Sequence, residues 1–430
     1  MTADSPPDAR RGVLLAVLAG CSFVFPMSIF ILSPLLVDVS REFQVSIAQA
    51  GALVTFTALP SALLAVLIGP LSDYLGRRPL LVGGTSLLAL ASFAATVAPT
   101  YELMVASRIL SGLGAAAMGP SIFAAVGDLF PYAERGKAYG WTVGANTLAS
   151  IMGIPMATLL AAAFSWRWSF AMVGIATGVA AIVLAWLYRP AALATPSEAA
   201  GSADPDQPIR SRATLIQSYR AGYRAVLQTR SALAVCGSSF SMSVGLMAFE
   251  TYLGALLINR YHIGTGELAP IFGLAGLGTL IGAQIGGRLG DRVGHKPFMS
   301  LSVVASLPFL LVLAYSNVGL AVAAALNFFR NIPMGMRFTA ASAIISEVVP
   351  GARATMQAIN QSSFNSGVML GSFLGGIIVE QYGYNHVALL TVVGALTSAS
   401  LVARFVVEHR GTVPQPVGEE QASLLLTEPA

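Results

Sequence analysis

Residues 286–297 read GGRLGDRVGHKP, and residues 69–79 read GPLSDYLGRRP. Both stretches are glycine-containing turns with charged side chains, set between long apolar runs in a chain of which only 10% is charged. Their aspartates, Asp73 and Asp291, lie 218 positions apart, which is about half of the 430 residues. A charged turn that recurs at this interval predicts an internal repeat.

The composition excludes a water-soluble protein. Hydrophobic residues make up 55% of the chain and the mean hydropathy is +0.72, whereas roughly a quarter of an average soluble domain is charged. Inside lipid, every backbone N–H and C=O needs an internal partner, so only helices or a closed barrel cross a bilayer. Barrel strands alternate apolar and polar residues, but runs such as AMVGIATGVAAIVLAWLY are continuous. The sequence therefore predicts a helical membrane protein.

A membrane-crossing helix needs roughly 20 mainly apolar residues, and this rule predicts two sets of six spans. The first set is 12–37, 47–69, 79–98, 102–127, 138–163 and 168–188, and the second is 231–258, 268–289, 297–316, 319–347, 355–379 and 384–407. We expect four segments: a bundle at 1–188, a cytoplasmic linker at 189–230, a bundle at 231–410 and a disordered cytoplasmic tail at 411–430.

Lys and Arg are concentrated on one side of the predicted spans, and only Arg41, Arg167 and Arg260 fall on the other side. Because cytoplasmic loops carry the excess of basic residues, both termini are predicted to be cytoplasmic. The same asymmetry accounts for the net charge of +4 without nucleic-acid binding. In the linker, RSRATLIQSYRAGYRAVLQTR predicts an amphipathic helix on the inner leaflet; a docking site for a soluble partner is the alternative.

Other landmarks recur at nearly the same interval as the turns. Arg108 and Arg330 lie 222 positions apart within predicted spans, and Pro131 and Pro350 lie 219 apart at the ends of spans four and ten. These matches support a repeat of six spans.

The two turns resemble the loop signature of the major facilitator superfamily, Gly-x-x-x-Asp-[Arg/Lys]-x-Gly-[Arg/Lys]-[Arg/Lys]. Tyr74 and His295 stand at positions that are usually basic in that family. The matching residues are Gly69, Asp73, Gly76, Arg77 and Arg78 in the first copy and Gly287, Asp291, Arg292, Gly294 and Lys296 in the second. The resemblance implies an all-α membrane protein with twelve transmembrane helices in two pseudo-symmetric six-helix bundles, and a secondary transporter.

Spans four and five are similar to the drug and sugar efflux branch of that family, which exchanges substrates for protons. Gly144, Gly153 and Pro155 match its span-five antiporter signature, whereas Ile154 and Ala157 depart from it. The resemblance implies proton-coupled efflux; proton symport or facilitated diffusion of a small anionic metabolite is the alternative. We expect a monomer. We also expect a bacterial inner membrane, since two lysines against twenty-two arginines are typical of a GC-rich bacterial genome.

The charged turns have two interpretations. Asp73, Arg77 and Arg78, with Asp291, Arg292 and Lys296, are predicted to form contacts when the inner side closes and to lose them when it opens. An aspartate is stabilised near a helix N-terminus by the helix dipole, and glycines allow helices to approach closely. The alternative is that the basic residues only fix the topology.

Charges inside the predicted spans are few, namely Arg108, Glu250, Arg330 and Arg337. Such charges cost roughly 2.5–3.5 kcal/mol on insertion scales and usually face a cavity or a partner. The resemblance implies that spans 4, 7 and 10, which carry them, line the central cavity. A buried carboxyl has a raised pKa and a nearby arginine lowers it, so Glu250 is the predicted proton carrier. A static Glu–Arg pair is the alternative.

Three arginines against one glutamate predict a positive cavity that favours neutral or anionic organic substrates. Possible substrate contacts are Phe25, Asn146, Gln284, Asn327, Asn360, Gln361 and Asn365, although interhelical hydrogen bonding or ordinary packing explains any one of them. The sequence contains no HExxH motif, no CxxC motif and no paired carboxylates within the predicted spans, so it does not predict a membrane enzyme. With only two cysteines, Cys21 and Cys236, a metal site is not expected. We expect no cofactor, and the proton gradient as the energy source.

Overall fold

The computed structural model describes residues 8–75, 77–130, 132–188, 212–349 and 352–408. Outside the described residues lie the predicted tail 411–430, the linker up to residue 211 and Gly76. The surroundings of Gly69 and the side chain of Asp73 are likewise outside the description. Within the described ranges the chain is helical and has no strand.

The first half contains eight helices: α1 Asp8–Phe30, α2 Leu32–Phe43, α3 Ile47–Leu75, α4 Arg77–Val97, α5 Tyr101–Leu129, α6 Tyr132–Leu148, α7 Ile154–Ala163 and α8 Trp166–Leu187. A π-helical turn, Ala149–Gly153, joins α6 to α7. The linker helix α9 is Arg212–Gln228. The second half contains α10 Arg230–Tyr261, α11 Leu268–Val293, α12 His295–Tyr315, α13 Leu320–Val348, α14 Arg353–Tyr382 and α15 Val387–Phe405. Short 3₁₀ turns, Thr265–Glu267 and Tyr384–His386, precede α11 and α15.

Each predicted span coincides with helix; span one is α1 with α2, and span five is α6 with α7. Eleven spans in the described part of the chain are long and apolar enough to cross a membrane. The remaining predicted span, α13, does not meet that criterion because Asn327, Arg330, Asn331 and Arg337 lower its hydropathy. It is nevertheless a continuous helix of 29 residues packed against α11 and α12.

The helices form two bundles. In the first, α4 packs on α5 and α8, and α3 packs on α5; in the second, α11 packs on α13, and α10 packs on α14 and α15. The seam between the bundles is formed by α3 against α14, by α7 and the π-helical turn against α11, and by α2 against α10. The predicted fold class, two six-helix bundles of the major facilitator type, is confirmed.

The hydrophobic cores show which end of the seam is closed. One core contains side chains from both halves, including Leu36, Trp166, Leu253 and Leu313, at the end away from the termini. At the end that holds the termini the cores are separate: one contains only first-half residues and the other contains only linker and second-half residues. Among the described residues, a buried apolar core shared by both bundles is therefore present only at the end away from the termini.

Polar clamps at the closed end confirm the internal repeat. In the first half, Arg167 pairs with Glu42 at 2.6 Å and donates to the carbonyls of Thr96 and Ala98 at the end of α4. In the second half, Arg260 donates to Asn385 at 2.6 Å and to the carbonyls of Leu313 and Ala314 at the end of α12. Positions 42 and 260, and positions 167 and 385, are each 218 apart. Arg260 thus stands at the position equivalent to Glu42, and Asn385 stands at the position equivalent to Arg167. The arginine is on opposite members of the clamp in the two halves.

The predicted linker helix is present as α9, and it contacts both bundles. The Tyr223 hydroxyl donates to the Val66 carbonyl of α3, and Gly222 lies against Thr355 of α14. Arg220 and Arg224 are on its exposed side. Contact of this helix with the inner leaflet stays a prediction.

Candidate functional site

The most polar cluster within the described spans lies where α10 approaches α13. Arg330 Nη2 donates to the Glu250 carboxylate in a short ion pair, and it also donates to Asn327 Oδ1 at 2.9 Å. The guanidinium lies over the Phe249 ring, 5.3 Å from its centroid. The Arg330 side chain is 1% exposed, whereas that of Glu250 is 18% exposed. The carboxylate is therefore the accessible member of the pair.

The helical register explains this cluster. Asn327 and Arg330 are three residues apart on α13, and side chains at that spacing share one helix face. Asn331, one residue further, donates to the Asn327 carbonyl at 2.8 Å and lies 3.5 Å from the Thr279 hydroxyl of α11. The polar strip thus extends from α10 across α13 to α11.

Several N–H groups in this cluster have no acceptor among the described residues. They are Arg330 Nε, Arg330 Nη1 and Asn327 Nδ2, all buried. An unsatisfied buried donor costs about 1–3 kcal/mol, and more when it is charged. The site therefore combines buried donors that have no acceptor with one partly exposed carboxylate.

The other two intramembrane arginines do not join this site. Arg108 is 1% exposed and lies over Phe170 of α8, 4.6 Å from the ring centroid; its Nε and Nη2 have no acceptor in the described part of the chain. Arg337 is 4% exposed. Its Nη2 donates to the hydroxyls of Ser238 and Ser398, each at 3.2 Å, and Nη1 donates to the Met299 carbonyl at 3.4 Å. Arg337 thus ties together α10, α12, α13 and α15.

The positions of the three intramembrane arginines bear on the predicted positive charge of the cavity. Arg108 and Arg337 are buried within their own bundles, and the charge of Arg330 is compensated by Glu250. The sequence predicted a positive cavity from the count of arginines; of the three, Arg330 is the one that the described ion pairs join to an acid, and the net charge of the cavity stays a prediction.

The polar residues proposed as substrate contacts are placed differently from one another. Asn360 accepts from Ser239 at 2.7 Å, Gln361 donates to Asn365 at 3.2 Å, and Asn146 donates to the Ser22 carbonyl at 3.4 Å. Gln284 is exposed, and the Phe25 ring packs against Gly119 of α5. Among these candidates only Asn327 belongs to the Glu250–Arg330 cluster.

Of the three span-five residues that the sequence singled out, Pro155 lies at the seam. Pro155 has no N–H, so the Ile151 carbonyl receives no helical hydrogen bond from it. Ile151 lies in the π-helical turn Ala149–Gly153, where the helix is wider than an α-helix. Pro155 and Ile151 face Gly273 of α11. Gly153 instead faces Phe23 and Met27 of α1, and Gly144 has no neighbour near its missing side chain.

Only part of the charged turns can be described. Arg78 donates to the Ala185 carbonyl at 2.6 Å, and Asp291 is 78% exposed, with His295 Nε2 at 3.5 Å. A Cβ added at Gly287 would lie in ordinary contact with Thr339 of α13, 3.6 Å away, and Gly294 adopts φ 103°. Arg292 and Lys296 end one helix and begin the next. The gating role of the two turns stays a prediction.

The sequence missed Glu408 and Ser33. Glu408 accepts from the backbone N–H groups of His295 and Lys296 at the start of α12, the role expected of the turn aspartate. Ser33 donates its hydroxyl to the backbone carbonyl of Glu250, which joins the two bundles beside the ion pair. No motif marks Ser33, although Pro34 after it indicates a break in span one.

Comparisons with known proteins agree with this architecture. A family model described as Major Facilitator Superfamily matches residues 18–287 and 232–429. The "Uncharacterized MFS-type transporter YceJ" of Bacillus subtilis is 24% identical over 360 residues, 83% of this chain and 87% of that protein. The "Probable sugar efflux transporter" of Mannheimia succiniciproducens is 24% identical over 391 residues, 91% and 92% of the two chains. The inward-open structure of the xylose transporter XylE from E. coli aligns with TM-score 0.72 at 16% identity, covering 94% and 98%.

Proposed function

The chain belongs to the Major Facilitator Superfamily and is a membrane transporter rather than an enzyme; we propose that it exports a small neutral or anionic organic compound in exchange for protons. The observation that carries this proposal is the Glu250–Arg330 pair, in which a partly exposed carboxylate meets a buried guanidinium. A proton and Arg330 compete for the same carboxylate, so the strength of the pair depends on the protonation of Glu250.

The position of Glu250 connects this competition to the seam. Its helix, α10, closes against α2, because Ser33 donates to the Glu250 carbonyl and Gly254 lies against the backbone of Ser33 and Pro34. A change in the Glu250–Arg330 pair therefore acts on the helix that holds the closed end of the molecule together. Alternating access requires this end to open while the other end closes.

The remaining parts of the proposal follow from the orientation. With both termini in the cytoplasm of a bacterial cell, the separate cores at the terminal end correspond to an inward-facing state. The transporter works as a monomer in the inner membrane, with the proton gradient as its energy source and no bound cofactor. Export is supported by the similarity to the Mannheimia protein, which is named a probable sugar efflux transporter.

The test is Glu250→Gln in proteoliposomes, with Glu380→Gln as the matched control, because Glu380 is an exposed acid near the end of α14. A panel of labelled sugars and small organic acids is screened for counterflow, and the active compound is then driven by an imposed pH gradient. We expect Glu250→Gln to retain exchange and to lose gradient-driven accumulation, by at least about tenfold for a group essential to proton transfer.

Two results would refute the proposal. One is gradient-driven transport by Glu250→Gln at the wild-type level. The other is co-transport of proton and substrate in the same direction, which would make the protein a symporter.

A further inference from the structure

The Glu250–Arg330 site is electrically balanced, and this balance bears on the substrate. Among the described residues, the only charged group in contact with Glu250 is Arg330. Arg337, seven residues further along α13, is committed to serine hydroxyls and backbone carbonyls, and none of its buried nitrogens lacks a partner in the described part of the chain. Arg108 is buried against Phe170 in the other bundle. An anionic substrate would therefore meet no excess of positive charge here.

The site offers both hydrogen-bond donors and a hydrogen-bond acceptor. Arg330 Nε, Arg330 Nη1 and Asn327 Nδ2 are buried donors without an acceptor in the described residues, and buried polar groups in proteins are almost always paired. The Glu250 carboxylate, 18% exposed, is purely an acceptor of hydrogen bonds when ionised. Asn331 and Thr279, both half-buried, extend the same strip towards α11.

We propose that this strip recognises a neutral, hydroxyl-bearing compound, whose oxygens accept from Arg330 and Asn327 while one of its hydroxyls donates to ionised Glu250. The inference rests on the proposed function and narrows its substrate class from neutral or anionic to neutral. A hydroxyl can donate and accept at once, so it satisfies the surplus donors and the carboxylate together. A carboxylate substrate would be repelled by ionised Glu250, and an ammonium group would be repelled by Arg330, whose charge balances that of Glu250.

This mode of binding also gives the direction of coupling. A substrate hydroxyl that donates to Glu250 favours the ionised carboxylate, and protonation of Glu250 replaces this charged acceptor with a weaker neutral one. Proton and substrate are therefore bound alternately, as exchange requires. An anion held by Arg330 would instead bind best with Glu250 protonated, which would give symport.

The experiment uses two sets of probes, each with one carbon skeleton and three charges. The first set is glucose, gluconate and glucosamine; the second is 1-phenyl-1,2-ethanediol, mandelate and 2-phenylglycinol. Binding to the purified full-length protein is measured as ligand-dependent thermal stabilisation at a pH where the amines are charged and the acids are ionised. No proton gradient is involved, so failure of antiport in proteoliposomes leaves this test intact.

We expect the neutral member of at least one set to stabilise the wild-type protein more than its charged partners do. In Glu250→Gln the neutral compound should bind at least about tenfold more weakly, as for a lost charge-assisted hydrogen bond, and the anionic partner should gain affinity because Arg330 is no longer compensated. Asn327→Leu should weaken the neutral compound without creating a preference for the anion. Glu380→Gln should behave like the wild type.

The reversal of charge preference in Glu250→Gln is the decisive readout, since a purely structural role of Glu250 would weaken all three probes alike. Preference of the wild-type protein for the anion or the amine would overturn the proposal. So would an unchanged preference in Glu250→Gln, or no stabilisation by either neutral compound.

Discussion

At the scale of single residues, three intramembrane arginines have three different environments. Arg330 has a carboxylate partner, Arg337 has neutral oxygen acceptors, and Arg108 has an aromatic ring. The sequence identifies all three as unusual, because a charge in an apolar span is costly. It does not distinguish them, since the distinction depends on what the neighbouring helices present at the same depth.

Arg337→Lys tests the structural role of Arg337. A lysine has a single nitrogen and lacks the planar fork that reaches Ser238, Ser398 and Met299 together. We expect the stability of the protein to fall by about 1.5–3 kcal/mol, the value of a hydrogen bond to a charged group, measured as a lower melting temperature in detergent. Arg288→Lys, at an exposed position of α11, is the control. Equal melting of Arg337→Lys and the wild type would contradict this role.

At the scale of helices, the seam depends on glycines. A Cβ at Gly276 of α11 would lie 2.7 Å from the carbonyl carbon and oxygen of Ser150, in the π-helical turn of span five. Because the obstructing atoms are backbone, they cannot move aside as a flexible side chain would. Gly254 has a similar relation to Ser33 at the α2–α10 contact. Small residues permit this close approach between membrane helices.

Gly276→Ala should force α11 away from the π-helical turn and slow transport by at least about tenfold, as expected for a misplacement of about 1 Å in a functional contact. Gly140→Ala is the control. Gly140 lies in α6 of span five, the span that Gly276 contacts, and nothing lies within 4 Å of the methyl group that would be added there. Both variants should elute as monodisperse protein on size exclusion. A wild-type rate of substrate counterflow in Gly276→Ala would show that the contact tolerates separation.

At the scale of the whole molecule, a single apolar core joins the bundles at the end away from the termini. Across the same end, Thr265 donates to Asp38 at 2.7 Å, beside a cavity of about 470 Å³ that is lined by both halves. Access from this side therefore requires the Asp38–Thr265 contact to separate.

Cross-linking Asp38→Cys to Thr265→Cys with a short bis-methanethiosulfonate reagent, which attaches to each cysteine through a disulfide, should stop transport, and reduction of these disulfides should restore it. Cys21 and Cys236 are both buried, and the two single-cysteine variants serve as controls for reaction elsewhere. Full transport by the cross-linked protein would mean that this end does not open during the cycle.

The sequence by itself determined the helices, the repeat and the family, because apolar span length, the spacing of the charged turns and their glycines are local properties of the chain. It also identified Glu250, Arg330 and Asn327 as unusual polar residues within spans. Only the tertiary structure decided that these three meet, that Arg108 and Arg337 are buried elsewhere, and that Ser33 and Glu408 matter. The physical reason is that consecutive helical residues point about 100° apart, so side-chain pairing depends on how each helix is rotated and how deeply it sits, which the packing of all the helices sets together.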